Sequence, residues 1–422
     1  MLLYNYLFIP VLFVFFKIAG LFNSKIKQGV ADRKNLFEQL AEKSDSIDRN
    51  KKLVWVHSAS LGEFEQAKPI IEKLKKEYGV NILVSFFSPS GYRNSIKYPH
   101  ADVITYLPLD SLKNMKKFVD ITKPDILILM RYDIWPNLVK YVNEKNIPSF
   151  IVDATMRDKS KRKLPLVKQL HKNIYKNFTK ILTVSETDLK SFKDFDLPDD
   201  KLRAVGDTRF DRVYQKSLLA KGKKLFVDGF FENKKVFVFG SSWESDEDVV
   251  IPAFLKILKY DKNAVMIIAP HEPTVLNLEK IEHTLTGKAK FIRFSSLNNY
   301  KDENVIIIDS IGILLTLYYY ADIAYVGGSF KQGIHNVLEP AVYGPPVMFG
   351  PKIENSQEAI YLSKTNGGIL IRNKKEMYRN LRYLLSKDGK RKEIGDSAKQ
   401  YVLNNIGATE RILEEIVKYL IK

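Results

Sequence analysis

The sequence predicts an α/β protein made of two Rossmann-like domains facing a cleft, each a parallel sheet wrapped by helices. Three observations carry this. The chain has 422 residues, more than one ordinary core accommodates. Short apolar runs such as Leu53–Val56, Ala264–Ala269 and Ile323–Val326 alternate with helix-length segments, the pattern of strands buried on both faces. That alternation breaks once, at a lysine-rich stretch from Tyr214 to Asn233 with few strand signals, so one linker joins two βα series.

Composition bounds the rest. A hydrophobic content of 45% with only 17 prolines describes a globular chain. Absence of cysteine excludes disulfides and thiolate metal sites. The formal net charge of +18, from 67 Lys+Arg against 49 Asp+Glu, favours polyanionic partners: nucleic acid, an anionic membrane or a phosphorylated substrate.

Taken in order, residues 1–24 come first. Leu2–Phe22 is nearly all apolar, with Lys17 its only charge. About 20 apolar residues cross a bilayer, so this is a short span or an interfacial helix. No basic segment precedes it and no small-residue cleavage site follows, which argues against a signal peptide. Lys25, Lys27, Arg33 and Lys34 crowd its downstream side, placing that end and the remaining chain in the cytoplasm.

The first βα series follows. Leu53–Val56 is a strand that leads through His57–Ser58–Ala59 into a helix from Ser60 to about Tyr78, closed by Gly79. Ser60 and Glu63 have the spacing of a capping box. Equally, Glu63 stands at a strand-to-helix turn, where a partly desolvated carboxylate acts as a general base. Further strands are expected at Asn81–Phe87, Val103–Leu107, Asp125–Met130, Ile147–Val152 and Lys180–Val184, with a helix from Ser111 towards Thr122. Arg131 to Asn137 lies at the carboxyl end of the Asp125–Met130 strand. The basic run from Arg157 to Lys172 reads as a solvated face or as a holder of phosphates and acidic head groups.

The second series begins at Lys235–Gly240, where Ser241 and Ser242 form an anion-holding turn. Ala264–Ala269 ends in Pro270–His271–Glu272–Pro273. Asn304–Ile308 is the next strand. Ile323–Val326 runs into Gly327, Gly328 and Ser329, where glycines let backbone N–H groups approach an anion and Ser329 adds a hydroxyl donor. His335 and Asn336 then lead into what reads as a helix at Val337–Leu338–Glu339, its positive end aimed at a phosphate and Glu339 placed to accept from ribose hydroxyls. Glycine-rich turns also occur with no ligand, but Gly-Gly-Ser, His-Asn and Leu-Glu-Pro together point to a nucleotide-sugar pocket.

Four motifs in this order, Ser58-Ala-Ser-Leu-Gly-Glu63, Ile134-Trp-Pro-Asn137, Gly206-Asp-Thr-Arg-Phe-Asp211 and Gly327-Gly-Ser…His335-Asn-Val-Leu-Glu-Pro340, give the chain a family resemblance. It resembles the 3-deoxy-D-manno-octulosonic acid (Kdo) transferases of lipopolysaccharide synthesis, which act on lipid IVA, and does so over essentially its whole length. The resemblance implies a GT-B fold, with CMP-Kdo as a substrate and no cofactor or metal. It implies inverting transfer to the lipid A precursor at the cytoplasmic face of the inner membrane, whose surface is anionic. It maps the catalytic base onto Glu63. Donor binding falls to Gly327, Gly328, Ser329, His335, Asn336 and Glu339, with Ser241, Ser242, Pro270 and His271. Ser60, Gly62, Asp133, Trp135, Asn137 and Arg209 fall on the acceptor side. In these terms residues 1–24 are a membrane anchor, 25–215 an acceptor domain, 216–233 the linker and 234–408 the CMP-sugar domain, with the helix at 409–422 packing back on the first domain.

Three departures stand out. Arg131-Tyr132-Asp133 replaces the frequent Glu-Thr-Glu, Pro270-His271-Glu272 replaces Pro-Arg-His, and Gly333-Ile334-His335 replaces Gly-Gly-His. Donor-carboxylate binding then passes to His271 or another cation. Two other readings compete. A nucleotide-sugar epimerase of the same architecture has no use for Leu2–Phe22, and a nucleic-acid binder lacks any recognisable reading module.

Overall fold

The computed structural model describes residues 3–421. Met1 and Leu2 of the expected anchor, and Lys422 of the expected last helix, lie outside the described residues. The chain divides into two compact units: Met1–Arg212 with Ile406–Lys422, and Val213–Asn405.

The first unit holds strands β1 (Leu53–Ser58), β2 (Asn81–Phe86), β3 (Val103–Tyr106), β4 (Ile126–Met130), β5 (Ser149–Ala154), β6 (Lys180–Thr183) and β7 (Leu202–Ala204). They form one parallel sheet in the order β3-β2-β1-β4-β5-β6-β7. The second holds β8 (Lys235–Ser242), β9 (Ala264–Pro270), β10 (Phe291–Arg293), β11 (Val305–Ile307), β12 (Ile323–Val326), β13 (Val347–Phe349) and β14 (Gly368–Leu370), ordered β10-β11-β9-β8-β12-β13-β14 and again parallel. The apolar runs form strands because both faces of each sheet are covered; β1, β2, β4 and β5 are buried at every position. Sequence reading misses β7, β10 and β14. Each is a three-residue, partly exposed strand at a sheet edge, too short and too little buried to show a period.

In both sheets the winding direction reverses beside the first strand: β1 lies between β2 and β4, and β8 between β9 and β12. Ligands of open α/β sheets bind outside the carboxyl ends of strands at such reversals. The helix leaving β1, Leu61–Tyr78, begins at an extended Ser60 and ends at a left-handed Gly79 with φ 60°. Its apolar stripe of Phe64, Ala67, Ile71 and Leu74 packs into the core beneath the sheet.

At the N-terminus a π-helical turn, Tyr4–Phe8, continues into the helix Ile9–Phe22. The joined helix Tyr4–Phe22 is long and apolar enough to cross a membrane, and most of its surface is bare. Residues 216–221 of the expected linker continue a helix that starts at Thr208, and the chain passes between units inside that helix. The final helix, Ala408–Ile416, buries Ile412, Leu413 and Ile416 in the same core as Val54, Phe64 and Ile128.

Candidate functional site

In the first unit, the carboxyl ends of β1 and β4 lead into most of the residues expected on the acceptor side. Ser60 is the N-cap of its helix, yet its side chain makes no bond to the helix backbone. Instead its hydroxyl donates to Glu63 Oε2. The reciprocal capping box is therefore not formed, because Ser60 spends its hydroxyl on the carboxylate itself. Glu63 is half-buried, and its Oε1 has no hydrogen-bond partner among the described residues. Gly62 is exposed beside it, and a Cβ there would lie 3.7 Å from Ser60 Oγ, an ordinary contact.

Across from β1, Asp133 accepts from His57 Nε2 at 2.8 Å. His57 reads in sequence only as the tail of a strand. Its ring is fully buried, with Nδ1 2.8 Å from Ser85 Oγ, which in turn accepts from Trp55 Nε1 at 2.7 Å. A neutral ring that satisfies both contacts carries its proton on Nε2 and receives the Ser85 hydroxyl at Nδ1. The chain Trp55–Ser85–His57 thus fixes the orientation of Asp133 from inside the sheet.

Arg131 and Asp153, at the ends of β4 and β5, have φ of 63° and 52°, left-handed values that side-chain-bearing residues seldom adopt. Asp153 receives the backbone N–H and hydroxyl of Thr208, pinning the Gly206–Arg209 turn over this end of the sheet. Burial and the neighbouring Asp207 raise the Asp153 carboxyl to about 7. Arg209 extends from that turn in an ion pair with Asp207, Nη2 to Oδ2 2.6 Å. Trp135 stacks obliquely on Phe87, ring centres 4.9 Å apart. Asn137 is a correction: it is buried, its backbone N–H bonds Asp110 Oδ2 at 2.8 Å and its side chain bonds Asn5, so it knits the fold together.

In the second unit a cavity of about 490 Å³ opens between the ends of β8 and β12. Ser241, His271, His335, Asn336 and Glu339 line it. Lys216 and Lys223 line it too. Both come from the lysine-rich stretch expected as a linker, because lysines in such a stretch read the same whether they face solvent or a cavity. Trp243 Nε1 donates to His335 Nε2 at 3.0 Å, and the His271 ring stacks on both, 4.6 Å from Trp243 and 4.5 Å from His335. An indole N–H only donates, so His335 is neutral with its proton on Nδ1. Burial, and His271 close by, hold its pKa below the usual value. Asn336 accepts from the Leu338 N–H and donates to Glu339 Oε1 at 3.3 Å.

The glycines serve the turn's closure. A Cβ on Gly327 would lie 2.1 Å from Ser241 O, and Gly328, at φ 96°, would place one 2.4 Å from Gly333 O. Asp246 holds this turn from below, accepting from Gly328 N at 2.9 Å and from the Tyr325 hydroxyl at 3.1 Å. Its burial raises the carboxyl to about 6.

Three expectations change. Ser329 is fully buried and its hydroxyl accepts from Gly350 N at 2.6 Å, so it braces the turn from behind. Ser242 is buried likewise and donates to Glu247 Oε1 at 2.7 Å. The helix after Asn336 is the single turn Leu338–Ala341, too short to sum an appreciable dipole at its start. Pro270 is the last residue of β9, beside the cavity-lining His271.

Residues 33–212 match the family model described as 3-deoxy-D-manno-octulosonic-acid transferase (kdotransferase). The 3-deoxy-D-manno-octulosonic acid transferase of Aquifex aeolicus is 30% identical over 348 residues, covering 81% of this chain and 88% of that protein. The chain belongs to the Kdo transferase family. The Rickettsia bellii enzyme of the same name is 27% identical over 99% of this chain and 97% of its own. A bifunctional glycosyltransferase/methyltransferase of Fusobacterium nucleatum is 30% identical over 73% of the chain, which spans 48% of that relative's length. Among solved structures, the UDP-GlcNAc 2-epimerase of Neisseria meningitidis superposes with a TM-score of 0.61 at 16% identity, over 87% of this chain and all of that one. At that identity the likeness is one of fold. The architecture is the two-sheet GT-B arrangement.

Proposed function

We propose that this Kdo transferase moves Kdo from CMP-Kdo onto the lipid A precursor lipid IVA, with inversion at the anomeric carbon and without a metal ion. The observation that carries the reading is the Ser60–Glu63 pair beside the winding reversal of the first sheet. With Ser60 on Oε2, Glu63 presents its other oxygen to the acceptor hydroxyl and takes its proton. The hydroxyl oxygen bonds to the anomeric carbon as the bond to CMP breaks on the opposite face, and CMP departs with the electron pair on its phosphate.

Asp133, oriented by His57, positions the acceptor. In the second unit, Glu339 and Asn336 hold the ribose, and Lys216, Lys223 and His271 face the phosphate and the sugar carboxylate. CMP is a stable leaving group, so the chemistry needs no Lewis acid. The helix Tyr4–Phe22 anchors the chain to the inner membrane, with both units on the cytoplasmic side where Lys25, Lys27 and Lys34 meet anionic head groups. The charge of +18 suits a phosphorylated lipid acceptor and argues against an epimerase, which would act on a small soluble substrate.

The test is a product mass spectrum after incubation with CMP-Kdo and the lipid A precursor. Acceptor gaining the mass of Kdo is expected. An unmodified acceptor, or an epimer formed from a nucleotide sugar alone, overturns the reading.

A further inference from the structure

A second cavity, of about 790 Å³, lies in the first unit under the N-terminal helix. Its walls are Phe13 and Phe16 of that helix, Val30 and Phe37 of the next two helices, and Phe87 and Leu109 from the turns after β2 and β3. That volume is within the range of about 300–1,000 Å³ that encloses a drug-sized ligand. The polar groups along it are largely spent within the chain. Arg33 donates to the carbonyls of Gly29, Phe87 and Leu107. Ser88 and Ser111 cap helices, and Asn114 donates to Leu109 O. The lining is therefore apolar in effect, and a polar solute gains nothing by entering.

Charge is distributed differently. Lys17, Lys25, Arg33 and Lys34 line the cavity and no carboxylate does, among the described residues. Lys25 and Lys34 are exposed, and their ammonium groups have no ion-pair partner among the described residues. An apolar chamber with uncompensated cations matches one chemistry, a hydrocarbon chain attached to an anionic head.

The wall of the cavity is also tied to the candidate acceptor residues. Ser88 in its wall donates its N–H to Ala59 O at 2.9 Å, immediately before Ser60, and Phe87 stacks on Trp135. We infer that this cavity seats an acyl chain of the acceptor lipid, with Lys25 and Lys34 receiving a phosphate at its mouth. The inference rests on the acceptor reading above and adds how that acceptor is held. A chain seated there ties the lipid to the turns that flank Glu63, so acylation becomes a recognition element in addition to a membrane tether.

The test uses the full-length protein in phosphatidylcholine nanodiscs and dodecyl phosphate bearing a terminal diazirine. Photolabelling is expected on peptides spanning residues 9–37, and the lipid A precursor should suppress it whereas inorganic phosphate should not. Val30→Trp fills the chamber from a partly exposed helix position. It should cut labelling at least tenfold and raise KM for the acylated acceptor at least tenfold, with KM rather than kcat carrying the loss. The preference for acylated over deacylated acceptor should shrink accordingly. Ile26→Trp is the second variant if the first does not fold, judged by its thermal transition. Labelling elsewhere, labelling that the acceptor does not suppress, or an unchanged KM in a folded filled variant overturns the inference. Were the label suppressed but no transfer product formed, the transfer reading would fail and the seat would stand. Normal transfer with no suppressible label fails the seat alone.

Discussion

Glu63 shares its carboxylate with Ser60, and this shapes what a substitution there reveals. Glu63→Gln keeps an oxygen for the Ser60 hydroxyl, so the helix start should survive, but an amide does not accept a proton at neutral pH. Turnover should fall by roughly 10²–10⁴-fold, the usual contribution of a positioned base, with CMP-Kdo affinity unchanged. Turnover within about tenfold of wild type would remove Glu63 from the proton transfer. Asp246 gives a prediction of opposite character. Its carboxyl is raised from 3.8 to about 6 by burial, so the folded state binds the proton more tightly than the unfolded chain. Its contribution is present below about pH 4 and is lost as pH rises through about 6, by about 3 kcal/mol in all. Asp246→Asn cannot ionise, so the stability gap between wild type and variant should change by that order between pH 4 and 7 in urea melts. A gap that stays constant would mean the carboxyl titrates as it does in the unfolded chain.

Among elements, the N-terminal helix has two attachments that an inert tether lacks. The Tyr4 hydroxyl donates to Asp110 Oδ2 at 2.9 Å, and Asn5 accepts from Asn137. The rest of the helix exposes Leu7, Val11, Phe15, Leu21 and Phe22. On the anchor proposed above, tethering would raise the local acceptor concentration, an effect of effective molarity. Deleting residues 1–24 should give a more soluble protein that transfers Kdo to acceptor dispersed in detergent, with a raised acceptor KM, and does poorly on acceptor in vesicles. A folded truncation with no activity in detergent would show that the helix supplies more than location and one cavity wall.

At the scale of the molecule, the chain leaves the first unit at Arg212 and returns to it at Ile406. The returning segment is stitched in by Asp211, which accepts from the N–H groups of Gly407 and Thr409, and by Arg203 with Glu415. Ile412, Leu413 and Ile416 fill the core beneath β1 and β4. Burying such side chains contributes roughly 1.5–3 kcal/mol each, comparable in sum with the whole stability of a domain. Removing residues 406–422 should therefore destabilise the first unit selectively, seen as lost amide protection in β1 and β4 while β8 and β12 stay protected. Equal loss in both units would contradict the division.

Periodicity and turn chemistry by themselves determined the two parallel sheets. A fully buried strand such as Ile126–Met130 is apolar at every position, and a helix start such as Ser60 carries a residue type favoured at N-caps, in extended backbone. They also brought forward Ser241, His271, His335, Asn336 and Glu339, which line one cavity, because reactive side chains gather where strands end. Tertiary structure alone decided the direction in which a side chain points. Ser329 and Ser242 read as donors to a ligand, and Asn137 as an acceptor contact, yet all three turn inward, since a hydroxyl or amide beside a tight turn is as useful to the backbone as to a ligand. His57 reached Asp133 only through the pairing of β1 with β4, seventy-six residues apart in sequence. The cavity under the N-terminal helix is likewise lined from several helices and the turns between strands and helices, none of which encloses anything alone. Local sequence sets the element each residue belongs to; long-range packing sets which groups meet, because a contact distant along the chain leaves no period to read.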